Sequence, residues 1–398
     1  MKRSPRRCLR APSHNGATGG NPHKAGVLRL SIAQAEFLMS HSHDPQNPSR
    51  RRLLQMAGVT ALAGSVPMLA SHTAFAQAKQ LIVSDPGGPY TVAYRRAFYD
   101  PFEKATGIKV VSVARDSQPV AQFAAMVQTK NFVWDVTTLT LSADIPYLES
   151  KGFLEPVGMK AADFPGIMPE AVTADWLGVD VYSTVLAYRT DKFQKDAPQT
   201  WADFWDVKRF PGRRSLRRSP LDTLEQALMA DGVPIDKLYP LDLDRAFKSL
   251  DKIKPHINLW WTSGAQAMQA IQSGDVDMMS TWNGRAQAAI DNKAPVKIVW
   301  NQGLYSIEGW GIPKGTPRAE FAKQFVRFCG DPARQALITQ DLAYGPTNLK
   351  AFDGIPKERA PLLPTAPANL KGMRLPSPQW WAENRTKATE RFNAWLLS

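Results

Sequence analysis

Residues 80–113, QLIVSDPGGPYTVAYRRAFYDPFEKATGIKVVSV, decide the fold. Gln80-Leu81-Ile82-Val83-Ser84 is a short apolar run that ends in the turn formers Asp85-Pro86-Gly87-Gly88-Pro89, which reads as a buried strand and then a loop. Val92, Ala93, Ala97, Phe98 and Phe102 follow at helical spacing, and Thr106-Gly107 stops that helix before the strand-like run 108–113. Strand, loop, helix and strand in this order make a βαβ unit.

The same alternation continues outward, with a helix over 120–129, a strand over 133–139, a loop over 140–144 and a helix through Leu148. It predicts an α/β fold with a mostly parallel sheet and helices on both faces. Residues 177–188 differ, because Val179, Val181, Ser183, Val185 and Ala187 alternate with other residues over a longer strand, which reads as a connection between two lobes. Thr200-Trp201-Ala202-Asp203 and Ser219-Pro220-Leu221-Asp222 read as capped helix starts, the second with Ser as N-cap, Pro at N1 and an acid at N3. Helices are expected over 241–252, 265–272, 286–290, 321–328, 332–339 and 380–397, and strands over 277–282, 296–300 and 306–311.

The chain has 398 residues, 43% hydrophobic and 21% charged, which suits two or three globular domains and excludes a coiled coil or a disordered tail. Of the net charge of +13, residues 1–78 carry +8. They also hold Cys8 and five of the six histidines, leaving residues 79–398 with Cys329 and His256 alone. That inventory removes an intramolecular disulfide and nearly all ligands for zinc, iron–sulfur or His-based chemistry, so no metal and no cofactor is expected. Ser49-Arg50-Arg51-Arg52-Leu53-Leu54-Gln55, the mild apolar stretch 53–70 and Ala74-Phe75-Ala76 read as a cleavable twin-arginine export signal over residues 39–78. Residues 1–38 read as an extension preceding the true start at Met39, and the mature protein is expected in the periplasm.

Six further pieces carry a resemblance: Pro101-Phe102-Glu103 with Thr106-Gly107-Ile108, residues 186–193, Trp201-Ala202-Asp203, Trp282-Asn283-Gly284, Gly311-Ile312-Pro313, and residues 344–348. In this order behind an export leader, they make the chain resemble periplasmic solute-binding proteins of ABC importers, most closely the spermidine/putrescine-binding group. The resemblance implies two α/β lobes, residues 79–181 with 307–398 and residues 182–306, joined by two crossing strands and closing on a ligand between them. It also implies a membrane permease as partner and no enzymatic activity. A monomer is expected, and export makes nucleic acid an improbable partner for the basic run Arg213, Arg214, Arg217, Arg218, which reads as a solvated strand edge.

Ligands of open α/β sheets sit where strands end, so the loops at strand ends supply the candidates. Trp282-Asn283-Gly284 places an aromatic ring at a strand end with a glycine beneath it, although Trp282 also suits a core position. Tyr182 lies on the crossing segment, and of Trp260 and Trp261 one faces a cleft, taken as Trp261. Gly88 and Tyr90 open a helix whose backbone N–H groups suit an anion. Ser142, Asp144 and Tyr344 come from two other loops. The resemblance implies an amine-binding carboxylate at Glu308 and a second acidic position at Asp222, which the capping pattern explains equally well. Ser306 stands where polyamine binders carry an aromatic residue, and Thr140, Ser142 and Asp144 replace an aromatic pair. The expected ligand is a polyamine or another amine-bearing solute. The alternative is a carboxylate-bearing amino-acid derivative or opine-like solute, held by Arg217, Arg218 and the Gly87-Gly88 loop, with an exported hydrolase as the enzymatic reading.

Overall fold

A computed structural model describes residues 79–115 and 119–398. The extension and the export signal lie outside the described residues. Strands β1 (Gln80–Asp85), β2 (Lys109–Ala114) and β3 (Val136–Thr140) run parallel in the order β2-β1-β3, as the reading of residues 80–113 requires. The helix between β1 and β2 widens into a π turn over Arg95–Tyr99, flanked by α-helical Pro89–Tyr94 and Asp100–Thr106. Gly107 ends it at φ 71, a left-handed conformation that glycine adopts without a Cβ clash.

Strands β4 (Trp176–Arg189), β5 (Arg214–Arg217), β6 (Ile257–Trp261), β7 (Met278–Trp282) and β8 (Val296–Gly311) complete the main path β2-β1-β3-β8-β4-β7-β5-β6. Short β9 (Gly345–Pro346) pairs with β4, and β10 (Met373–Arg374) with β8. Parallel pairing holds within β2-β1-β3 and within β7-β5-β6, and the contacts made by β4 and β8 on the main path are antiparallel. This is a mixed α/β fold of two lobes with the long pair β4 and β8 between them. β8 runs unbroken where two strands were expected. Gln302 at φ 60 absorbs the irregularity, and its side chain accepts from the Trp201 backbone N–H, so the Asn301-Gln302-Gly303 stretch bends the strand without ending it.

One core cluster joins Leu81, Phe98, Phe102, Trp176, Val181, Ile307, Trp310 and Phe325, and a second joins Leu186, Trp201, Phe204, Leu216, Leu224 and Leu304. Trp381, Ala388 and Phe392 of the terminal helix Pro378–Leu397 belong to the second. No helix among the described residues is long and apolar enough to cross a membrane.

Candidate functional site

At the carboxyl end of β1, buried Asp85 accepts from Gly87 N at 2.7 Å, Thr91 Oγ1 at 2.6 Å and Tyr99 OH at 2.8 Å. These bonds fix the Gly87-Gly88 turn and deliver Tyr90, whose ring lies 5.6 Å from that of Tyr344. Tyr344 meets Tyr182 at 5.8 Å, Tyr182 meets Trp282 at 6.1 Å, and Trp282 meets Trp261 at 5.1 Å. A row of five rings therefore runs from the first lobe across β4 into the second.

Charged groups flank this row at both ends. On the first-lobe side Asp180 and Glu308 oppose each other on β4 and β8. Arg115, just past β2, donates to Glu308 Oε1 at 2.7 Å and to Thr138 Oγ1 at 2.9 Å. Tyr94 OH donates to Asp180 Oδ2 at 2.6 Å, while Asp180 Oδ1 has no partner. Burial raises both carboxyls, and at Asp180 the neighbouring Glu308 charge raises it further, whereas Arg115 opposes the rise at Glu308. With Arg115 bonded to Glu308, burial and the Glu308 charge both favour the neutral form of Asp180.

In the second lobe Arg217 ends β5 and donates to Asp222 Oδ2 at 3.2 Å, where Thr184 Oγ1 donates as well at 2.8 Å. The Arg217 guanidinium lies 5.0 Å from the Trp282 ring centroid and 5.7 Å from that of Trp261. Trp261 is fully buried, its Nε1 donating to Ser280 O at 2.7 Å, so it backs the site as a wall. Asp222 is not a cap. Ser219 makes no capping bond, Leu221 is extended at ψ 133, and Asp222 sits at φ 72 with Oδ1 buried and unpartnered. A non-glycine residue held there by its own side-chain bonds marks stored strain, which concentrates at functional positions.

Several expected contacts turn out to be internal. Asn283 Oδ1 accepts from Ser183 N at 2.9 Å and Nδ2 donates to Ala343 O at 2.6 Å, so Asn283 ties β4 to the Tyr344 loop. Asp144 accepts from Thr140 N and Oγ1, both at 2.9 Å, and pairs with Arg385 at 3.6 Å. Ser142 donates to Pro376 O at 3.0 Å. These two fasten the post-β3 loop to the terminal segment and offer nothing outward. Gly88 is exposed and serves the turn at φ 57. The structure thus gathers Tyr90, Tyr182, Asp222, Trp261, Trp282, Glu308 and Tyr344, and leaves Gly88, Ser142, Asp144 and Asn283 in supporting roles.

The sequence candidates did not include Arg115, Asp180 or Arg285, and the solvated-edge expectation for the basic run does not hold at Arg214 or Arg217, the second of which the carboxylate alternative names. Buried Arg214 donates to the carbonyls of Phe204 and Gly212, Arg213 pairs with Asp277 at 3.1 Å, and Arg217 enters the site. Arg213 and Arg218 flank β5 and are exposed.

The model of the bacterial extracellular solute-binding protein family matches residues 97–365. A gamma-aminobutyric acid-binding protein of Pseudomonas aeruginosa is 36% identical over 354 residues, 87% of this chain and 99% of that protein. The solved PBP MotA from A. tumefaciens B6, in complex with glucopine, superposes with a TM-score of 0.72 at 30% identity, covering 80% of this chain and 99% of that one. The spermidine/putrescine-binding periplasmic protein of Escherichia coli is more distant, 21% identical over 262 residues, 63% of this chain and 74% of that protein.

Proposed function

The chain belongs to the bacterial extracellular solute-binding proteins, a non-enzymatic family, and from that premise we propose that it captures an amine solute bearing a carboxylate, an amino acid of the γ-aminobutyrate kind or an opine, for an ABC importer. The observation that carries this is Arg217. Its guanidinium already covers the ring of Trp282 while Asp222 holds it in place. A polyamine would need that face for its own cation, and would meet a fixed like charge instead. At the other end Arg115 already neutralises Glu308, so the acid expected to receive an amine is engaged. A carboxylate suits Arg217, which keeps donors beyond the single bond to Asp222. The unpartnered Asp222 Oδ1 is left to receive the amine. Relatives named for γ-aminobutyrate and crystallised with glucopine support the same class. A monomer working in the periplasm with a membrane permease completes the proposal.

Calorimetric titration with γ-aminobutyrate, glucopine, putrescine and spermidine tests it. Binding of a carboxylate-bearing amine, weakened at least about tenfold in Arg217→Ala, is expected, corresponding to about 1.4 kcal/mol. Tight binding of putrescine or spermidine with no response to either carboxylate would overturn the proposal.

A further inference from the structure

Three arginines stand at the candidate site, two of them, Arg217 and Arg285, against the rings, and two of the three are answered by carboxylates. Arg115 has Glu308 at 2.7 Å and Arg217 has Asp222 at 3.2 Å. Arg285 makes no hydrogen bond or ion pair among the described residues, and its Nε is buried without an acceptor. It is nonetheless part of the constellation. A Cβ on Gly264 would come within 2.7 Å of Arg285 Nε and 3.0 Å of Trp282 Cζ3, so the bare glycine makes room for the guanidinium beside the indole. Arg285 also acts electrostatically on Tyr344, lowering its phenol against the rise that burial causes.

The remaining carboxyl is unsuited to the task of compensating Arg285. Asp180 faces Glu308 on the neighbouring strand and is held by Tyr94 OH, and the carboxylate opposite favours its protonated form. A solute with one amine and one carboxylate is neutral overall, so a site closed on it would hold one guanidinium with no anion beside it. That is costly. A second acidic group on the solute removes the imbalance.

We propose that Arg285 reads a second acidic group, so that the site selects amino acids and amino-acid conjugates with two carboxylates over those with one. This rests on the solute being a carboxylate-bearing amine. Glutamate and γ-aminobutyrate are a matched pair of probes, because glutamate is γ-aminobutyrate with a carboxylate added on the amine-bearing carbon. Titration of the full mature protein is expected to give at least about tenfold tighter binding of glutamate, the equivalent of about 1.4 kcal/mol. In Arg285→Gln the glutamate to γ-aminobutyrate affinity ratio falls toward one, and in Arg285→Lys, which keeps the charge, it is partly restored. A wild-type preference for γ-aminobutyrate, or a ratio unchanged in Arg285→Gln, overturns this inference and leaves the carboxylate reading standing. Binding of neither probe, with putrescine bound, overturns both.

Discussion

The Arg217 guanidinium stands 5.0 Å from the Trp282 ring centroid and 3.2 Å from the Asp222 carboxylate. One cation is thereby fixed by a π face and an anion at once. On the proposed reading Trp282 positions Arg217 and does not receive a ligand cation. Trp282→Ala should therefore weaken binding of a carboxylate ligand by about twofold to thirtyfold, the equivalent of a cation–π contact of roughly 0.5–2 kcal/mol, and should do so less than Arg217→Ala. Calorimetry on both variants checks the order. A larger loss in Trp282→Ala would mean that the ring itself meets the ligand.

Asp222 gives a backbone prediction that is independent of the ligand. At φ 72 a residue with a Cβ is strained, and its bonds from Thr184 and Arg217 hold it there. Asp222→Ala loses those bonds and keeps the strain, while Asp222→Gly loses the bonds and relieves it. The glycine variant should be more stable than the alanine variant by about 1–2 kcal/mol in denaturant melts. Equal stabilities would show that the conformation relaxes in solution.

How far the site was legible in the sequence follows from the range of each interaction. The βαβ unit over 80–113 and the alternation over 177–188 are local patterns, and both appear in place as β1, β2 and β4. Ser219-Pro220-Leu221-Asp222 is local too, yet it misled. Asp222 is drawn out of the helix by Thr184, 38 residues away, and no capping pattern carries that information. Arg115 joins Glu308 across 193 residues, so a carboxylate that looked free in the sequence arrives already paired. Ser142 likewise bonds Pro376, 234 residues away, and Asp144 pairs with Arg385 besides its local bonds from Thr140.

The pair of Arg115 and Glu308 predicts a pH-dependent cost. Both side chains are nearly buried, at 8% and 4% exposure. Removing the cation in Arg115→Leu leaves Glu308 facing Asp180, at about 3–5 kcal/mol when Glu308 stays ionised. Without Arg115 the Glu308 carboxyl rises further, and a group whose folded-state value is raised gives up stability as pH rises. The deficit against wild type should be small near pH 5 and grow toward pH 8 in thermal melts. A deficit independent of pH would mean that Arg115 acts through packing alone.

Tyr182 on β4 and Ser306 on β8 are register partners within the two strands that join the lobes. If the lobes close about this pair, small-angle scattering should show a smaller radius of gyration with a saturating ligand than without it. The same curves should give the mass of a monomer. An unchanged radius would count against a hinge at this pair.

Glu225 predicts how stability responds to pH without any ligand. It lies three residues beyond Asp222 in Pro220–Ala230, fully buried, with Oε1 accepting from Tyr239 OH at 2.6 Å and Trp381 Nε1 at 2.8 Å and Oε2 without a partner among the described residues. Burial above all, with the Asp222 charge adding to it, lifts its carboxyl from 4.5 to about 7, against the bonds from Tyr239 and Trp381. The folded state thus holds the proton more tightly than the unfolded chain, so stability is greatest below about pH 4.5 for this group and falls as pH rises through 7. The loss amounts to about 3 kcal/mol. Glu225→Gln keeps the acceptor for Tyr239 and Trp381 and has no proton to lose. It should match wild type near pH 5 and exceed it near pH 8, with a flatter slope between, as read by chemical denaturation across that range. Parallel curves for the two proteins would mean that Glu225 is ionised in the folded state across the whole range, and that the second lobe tolerates its charge beside Asp222.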